Sequence, residues 1–261
     1  MIRADNSDLH THTGYSDGRG SLEDNVRAAE AAGLDAVAIA DHLFPESHPR
    51  FGDRGRLRQR LEEMRQVRSW AGLTVVMAVE ATATDVEGTL SASPQDLEGV
   101  ELSLVDVGSI TAGVATSVLP GRARQLASVL RLYERLAGNE LVDGLAHPFA
   151  LGCFGLDITL EDLPETALRE LGANLAEHGT AFEINNGFWW WWPQFHPMQV
   201  AELYARVVAA VAEGGARFTL GSDAHCNTGV GNLSWAKRVA QLAGLSSDSW
   251  AVVQDLVGER R

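Results

Sequence analysis

Short apolar runs alternate along this chain with longer stretches of helical spacing. Residues 35–41 (Asp-Ala-Val-Ala-Ile-Ala-Asp) are nearly continuous in apolar side chains, as expected of a parallel strand buried on both faces. Runs of the same kind predict strands at 73–79, 102–107, 142–146, 180–184 and 217–220, and a short strand carries His10 and His12. The intervening segments predict helices over about 21–33, 56–71, 122–137, 160–178, 197–213 and 234–243. Ser21 is a good N-cap for the first, with Asp24 three residues on and Gly33 as its stop. Residues 43–55, rich in Pro, Gly and Arg, read as a loop, 82–94 as a polar segment suited to a short hairpin, and the C-terminus as a polar tail. Seven strands alternating with helices and no linker predict one α/β domain over residues 1–261, with a parallel sheet. That number of units in this length favours a closed TIM-like barrel, and no Gly-x-Gly-x-x-Gly follows the first strand to argue for an open nucleotide-binding sheet.

Composition changes this picture little. The 261 residues are 45% hydrophobic, ordinary for a globular protein. A formal charge of −14 argues against stable nucleic-acid binding or attachment to an anionic membrane, and bound cations would reduce it. Two cysteines, Cys153 and Cys226, carry no disulfide-framework spacing, which points to the cytoplasm. No apolar run reads as a signal peptide or reaches membrane-spanning length.

The polar residues at the strand ends change it more. His10 and His12 lie two apart, on one face of their strand, and Asp17 follows in a Ser-Asp-Gly turn. His42, Glu80, His147, Asp223 and His225 also fall at or just beyond the C-terminal ends of predicted strands, which in a parallel barrel meet on one face. Imidazoles mixed with carboxylates suit Zn²⁺, Mn²⁺ or Fe²⁺ better than Ca²⁺, and there are more ligands than one tetrahedral ion needs.

These pieces, in this order, resemble the PHP (polymerase and histidinol phosphatase) family over nearly the full chain: His10-Thr11-His12 with Ser16-Asp17-Gly18, Ala40-Asp41-His42, Val79-Glu80, Ala146-His147-Pro148, and Gly221-Ser222-Asp223-Ala224-His225. The resemblance implies a distorted (β/α)7 barrel and two to three divalent metal ions. It places one ion on His10, His12, Glu80 and Asp223. A second would share Glu80 with His147, and a third would lie on Asp17, His42 and His225. It implies a phosphoesterase acting on a small phosphorylated metabolite or nucleotide through a metal-activated water. The alternatives are a non-catalytic PHP module serving as an interaction or structural protein, and a hydrolase of carbon–nitrogen bonds. The last would want a carboxylated lysine, and the only lysine, Lys237, falls on the last predicted helix.

Two departures from the family stand out. Gly108-Ser109-Ile110-Thr111 has Thr where the family often has a His that serves the second ion, so that site is expected to be weak. Glu183-Ile184-Asn185-Asn186-Gly187 runs into Phe188 and four tryptophans, Trp189 to Trp192, instead of an Arg, which argues against histidinol phosphate as substrate. Asp41 and Glu183 are the candidate catalytic groups, as carboxylates that orient a ligand imidazole or relay a proton. Arg19, Arg50, Arg54 and Arg122 are candidate phosphate clamps. The tryptophans fit a loop packed on the barrel rim, an oligomer interface, or an aromatic wall in which Trp189 meets substrate. His48 stands in the early loop within reach of the pocket mouth. No oligomeric state follows from the sequence.

Overall fold

The computed structural model describes residues 1–258. Its sheet is parallel throughout, with β1 (Ser7–Thr11), β2 (Ala36–Ile39), β4 (Thr74–Thr82), β5 (Leu102–Asp106), β6 (Gly144–Leu145), β7 (Ala181–Asn185) and β8 (Phe218–Gly221) in that order. The two-residue β3 (His42–Leu43) pairs with the far half of β4. The sheet curls until its ends meet. The Asp223 amide donates to the His10 carbonyl at 2.8 Å, and the His12 amide to the Ala224 carbonyl at 2.9 Å. The expected TIM-like barrel is therefore present, nearly closed.

The strands sort their side chains by period two. Ala36, Ala38 and Ala40 join Leu9, Val76, Ala78, Leu102, Leu104 and Ala146 in one small-residue cluster. Val37, Ile39, Val75, Met77 and Val79 pack into the larger cluster beneath the helices. Those helices are α1 (Leu22–Ala31), α2 (Arg54–Arg68), α3 (Arg122–Ala137), α4 (Glu165–His178), α5 (Pro197–Glu213) and α6 (Ser234–Leu242). α1 begins with the capping box expected at Ser21 and Asp24.

The elements differ from expectation in a few places. β3 lies at the edge of the segment read as a loop, and two residues are too short for periodicity to reveal. The helix expected over 160–178 is broken, a 3-10 turn at Leu160–Asp162 preceding α4, because Pro164 cannot continue a helix from that turn. The polar tail contains one more short helix, α7 (Val253–Leu256), and the Ala4 and Val253 amides donate to Ala251 and Ile2 across the bottom of the barrel. The 82–94 segment makes a small hairpin, with Ala83 bridged to Leu90.

Candidate metal centre

The C-terminal strand ends open into a cleft of about 370 Å³, whose lining includes Asp17, His42, Glu80, Asp106, His147, Asp223 and His225. Glu80, near the end of β4, is the hub. Its Oε2 lies 3.4 Å from His10 Nε2, 3.6 Å from His12 Nε2 and 2.8 Å from His42 Nδ1, and its Oε1 lies 2.9 Å from His147 Nε2. The His10 and His12 Nε2 atoms are 3.0 Å apart, as their shared face of β1 requires. Asp223 Oδ1 stands 3.1 Å from His12 Nε2. Asp17 Oδ2 lies 3.2 Å from His225 Nε2 and 3.6 Å from His42 Nε2.

Three groups therefore have ligand atoms close enough to share an ion: His12, Asp17, His42 and His225; His10, His12 and Asp223; and Glu80, Asp106 and His147. The donor chemistry fits borderline divalent cations. The third group supplies the sharpest test of fit. Asp106 Oδ1 is buried and accepts no hydrogen bond, and the buried Glu80 Oε2 meets only imidazole nitrogens, an arrangement that is costly unless a cation faces the pair.

The electrostatics carry the same message. Burial and the neighbouring Glu80 carboxylate push Asp106 up to about 6. Burial opposes charge on His147, yet Glu80, Asp223 and Glu183 raise it to about 9. Burial likewise opposes charge on His10 and His42. Glu183, Glu80 and Asp223 around His10, and Glu80 and Asp17 around His42, hold both well above the ordinary histidine range. His12 is lowered, by burial and by His42 beside it. Protons thus stand in where cations would bind, and a bound ion would displace them.

Backbone and surroundings hold these groups in place. His147 and Asp223 adopt left-handed backbone (φ 31° and 56°), unusual for residues with a side chain and concentrated at functional sites. A Cβ on Gly108 would lie 2.0 Å from Asp106 Oδ2, so any other residue there would displace that carboxylate. At Gly221 a Cβ would lie 1.8 Å from Glu183 Oε1. That gap lets Glu183 accept from the His147 amide at 2.6 Å and meet His10 Nδ1 at 3.0 Å.

All eight expected ligand residues meet at one face, and the structure adds Asp106, which sequence reasoning passed over. It ends an apolar strand as Asp41 does, which was the available signal. Thr111, taken as the replacement for a ligand, has no part in the cleft. It is buried, donating to the Ala83 carbonyl and accepting from the Gly108 amide.

The other candidate residues are placed in different ways. Asp41 has no hydrogen bond to His42 among the described residues. Its carboxylate accepts from the Thr13 amide and hydroxyl, the Ser16 hydroxyl and Arg60, and so secures the turn between His12 and Asp17. Glu183 is buried behind His10 and meets its Nδ1, the contact expected of a carboxylate that orients a ligand imidazole, without lining the cleft. Arg19 is exposed outside the cleft, and Arg122 pairs with Asp162. Arg54 is held by Asp96 and by the Phe44, Gly52 and Ser91 carbonyls. Trp189 is exposed and stands edge-on to Trp190. The tryptophan that reaches the cleft is Trp191, stacked on His147 at 4.8 Å.

A nearly closed parallel barrel with clustered imidazoles and carboxylates at its C-terminal face defines a barrel built around a candidate metal-binding cleft. The chain belongs to the PHP domain family, whose profile matches residues 8–145. A probable phosphatase of Pectobacterium atrosepticum is 25% identical to it, over 92% of this chain and 87% of that one. A probable phosphatase of Edwardsiella ictaluri is 28% identical, over 89% and 83%. Among solved structures, histidinol phosphate phosphatase from Lactococcus lactis, complexed with zinc, L-histidinol and phosphate, superposes with a TM-score of 0.64 at 15% identity, covering 92% of this chain and 94% of that one. At that identity the likeness speaks for the fold.

Proposed function

We propose that this chain is a metal-dependent phosphoesterase that hydrolyses the phosphate ester of a small metabolite or nucleotide. The observation that carries the reading is the trio of donor groups around one cleft, in which the buried Asp106 Oδ1 accepts no hydrogen bond. His10, His12 and Asp223 would hold one Zn²⁺, Mn²⁺ or Fe²⁺ ion, with Glu80 beside them. Asp17, His42 and His225 would hold a second, and Glu80, Asp106 and His147 a third. Bound there, divalent ions lower the pKa of a coordinated water and offset charge on phosphate oxygens.

The chain's own residues supply the positioning. Glu183 fixes the orientation of His10 through Nδ1, leaving Nε2 for the cleft. Asp41 and Ser16 secure the turn from which Asp17 projects. A cleft of about 370 Å³ suits a small substrate. The two probable phosphatases support the phosphate-ester class. The PHP unit on this reading spans residues 1–261, because His147, Glu183, Asp223 and His225 lie beyond residue 145 and serve the same centre. A cytoplasmic site of action fits the two unpaired cysteines, and no helix among the described residues is long and apolar enough to cross a membrane.

Metal content per chain, measured alongside turnover of a panel of phosphomonoesters and phosphodiesters, tests the reading. Hydrolysis is expected only with divalent metal, and Asp223→Ala or His12→Ala should reduce it by orders of magnitude with the fold retained. A fully metal-loaded protein that turns over no ester overturns it.

A further inference from the structure

We infer that the cleft selects a phosphoester whose other half is planar and carries no second anionic group, and that His48 positions it as a hydrogen-bond donor through Nε2. This inference rests on the phosphoesterase reading and narrows it to a substrate class.

The charges of the lining come first. Among the described residues, Asp17, Glu80, Asp106 and Asp223 line the cleft, and no arginine or lysine does. The nearby arginines are otherwise placed: Arg54 is held by Asp96 and three carbonyls, and Arg50 is exposed over the Phe51 ring. Once cations engage the reacting phosphate, the lining has no arginine or lysine to offset a second anionic group. The walls are instead aromatic, with Phe44 and Phe51 beside His42, and Phe154 and Trp191 also lining the cleft. Such faces suit a planar apolar group.

His48 is the one titratable lining residue outside the three candidate ion groups. Its Nδ1 accepts from the Phe51 amide at 3.2 Å and the Arg50 amide at 3.4 Å. Those donors place the proton of the neutral ring on Nε2, which has no hydrogen-bond partner among the described residues. The ring lies parallel to Phe51 at 5.2 Å and edge-on to Phe44 at 4.9 Å. The loop beneath it is tightly built. A Cβ on Gly52 would lie 2.5 to 2.7 Å from the Pro45, Glu46 and His48 carbonyls, so only glycine closes the turn. A ring packed on two aromatics, with one nitrogen capped and the other free, is set to offer a fixed N–H to a substrate oxygen.

The test compares the metal-loaded wild type with His48→Asn, whose side-chain carbonyl can still accept the loop amides but which lacks the Nε2 donor. Benzyl phosphate, glycerol 2-phosphate and fructose 1,6-bisphosphate serve as substrates. The first two are both alkyl esters, so leaving-group reactivity does not decide between them. Benzylphosphonate binding is followed by calorimetry. Wild type should favour benzyl phosphate by about 10-fold or more in kcat/KM. His48→Asn should lose about 10- to 100-fold in kcat/KM and weaken benzylphosphonate binding, with metal content and melting temperature unchanged. Preference for the bisphosphate, or a His48→Asn variant equal to wild type with its metals bound, overturns the inference. No turnover of any ester, with benzylphosphonate still bound and bound more weakly by His48→Asn, would refute the phosphoesterase reading and leave the binding role standing.

Discussion

The two ends of the cleft solve the same problem with different materials. The outer end, Asp17, His42 and His225, is partly open, its side chains 26%, 16% and 42% exposed, and surrounds one carboxylate with imidazoles. The inner end, Glu80, Asp106 and His147, is buried and sets two carboxylates against one imidazole. Histidines hold Asp17 well below the usual carboxylate range, so the outer group is balanced without a cation. Asp106 is pushed up to about 6 by burial and by Glu80, so the inner group is not. The inner end therefore has the greater need of an ion, and the outer end the easier exchange with solvent.

The largest effect should come from removing the inner carboxylate that also reaches histidines of the other two groups. Glu80 touches His10, His12, His42 and His147, so Glu80→Gln removes a ligand charge from the inner ion and a charge that faces histidines of the other two groups. We expect metal content to fall by more than one ion per chain and kcat to fall by about 1,000-fold or more, an effect of the size seen when metal activation of water is lost. Retention of all ions in Glu80→Gln would remove it from the hub.

Asp106→Asn sharpens the comparison, because it touches the inner end alone. Elemental analysis should show a loss of about one ion per chain, with the outer ion retained, and turnover should drop about 10- to 100-fold. Thr111→His, by contrast, should add no ion, since Thr111 is enclosed between Ala83 and Gly108. If Thr111→His raised the ion count and Asp106→Asn left it unchanged, the inner site would be the incomplete one that the Gly-Ser-Ile-Thr run suggests.

These two residues show how far the sequence could be read. The strand ends were legible because buried parallel strands are continuous apolar runs, and a polar residue that stops such a run stands on the barrel face. That logic found His10, His12, His42, Glu80, His147 and Asp223, and it applied equally to Asp106, the last residue of β5. Asp106 was passed over because Gly108 to Thr111, two residues further on, matched a family pattern whose usual His is Thr111 here. The role of Asp41 was not legible either, since its partners Thr13, Ser16 and Arg60 come together only through the closing of the barrel. Of four consecutive tryptophans, the one that reaches the cleft depends on the pitch of a 3-10 turn at Phe188–Trp191, which one-dimensional spacing does not give.

A smaller, pH-dependent effect separates protons from ions in the cleft. His147 rises from an ordinary 6.5 to about 9 in the metal-free fold. A raised histidine pKa stabilises the fold fully below 6.5, and that contribution is lost as pH rises through 9. The melting temperature of chelator-treated protein should therefore decline between pH 6.5 and 9. Metal affinity should rise over the same interval, because each ion must displace a proton. A flat melting profile for the metal-free protein would show that the imidazoles are not protonated there.

The smallest effects belong to the tryptophans, and they test whether the run acts as one surface or as one working residue. Trp191 lines the cleft and stacks on His147, with an interplanar angle of 23°. Trp190 is 69% exposed and meets only Trp189 edge-on among the described ring contacts. Trp191→Ala removes a stacked ring worth about 1 kcal/mol and opens one face of the His147 imidazole to water. It should raise KM about 5-fold, with a smaller change in kcat. Trp190→Ala removes a ring that already lies in solvent, and kcat and KM should both stay within about 2-fold of wild type. Steady-state kinetics on the metal-loaded variants distinguish the cases. Equal losses in the two variants would mean that the whole run works as a packed rim, and the aromatic wall would then have to be sought at Phe44 and Phe51.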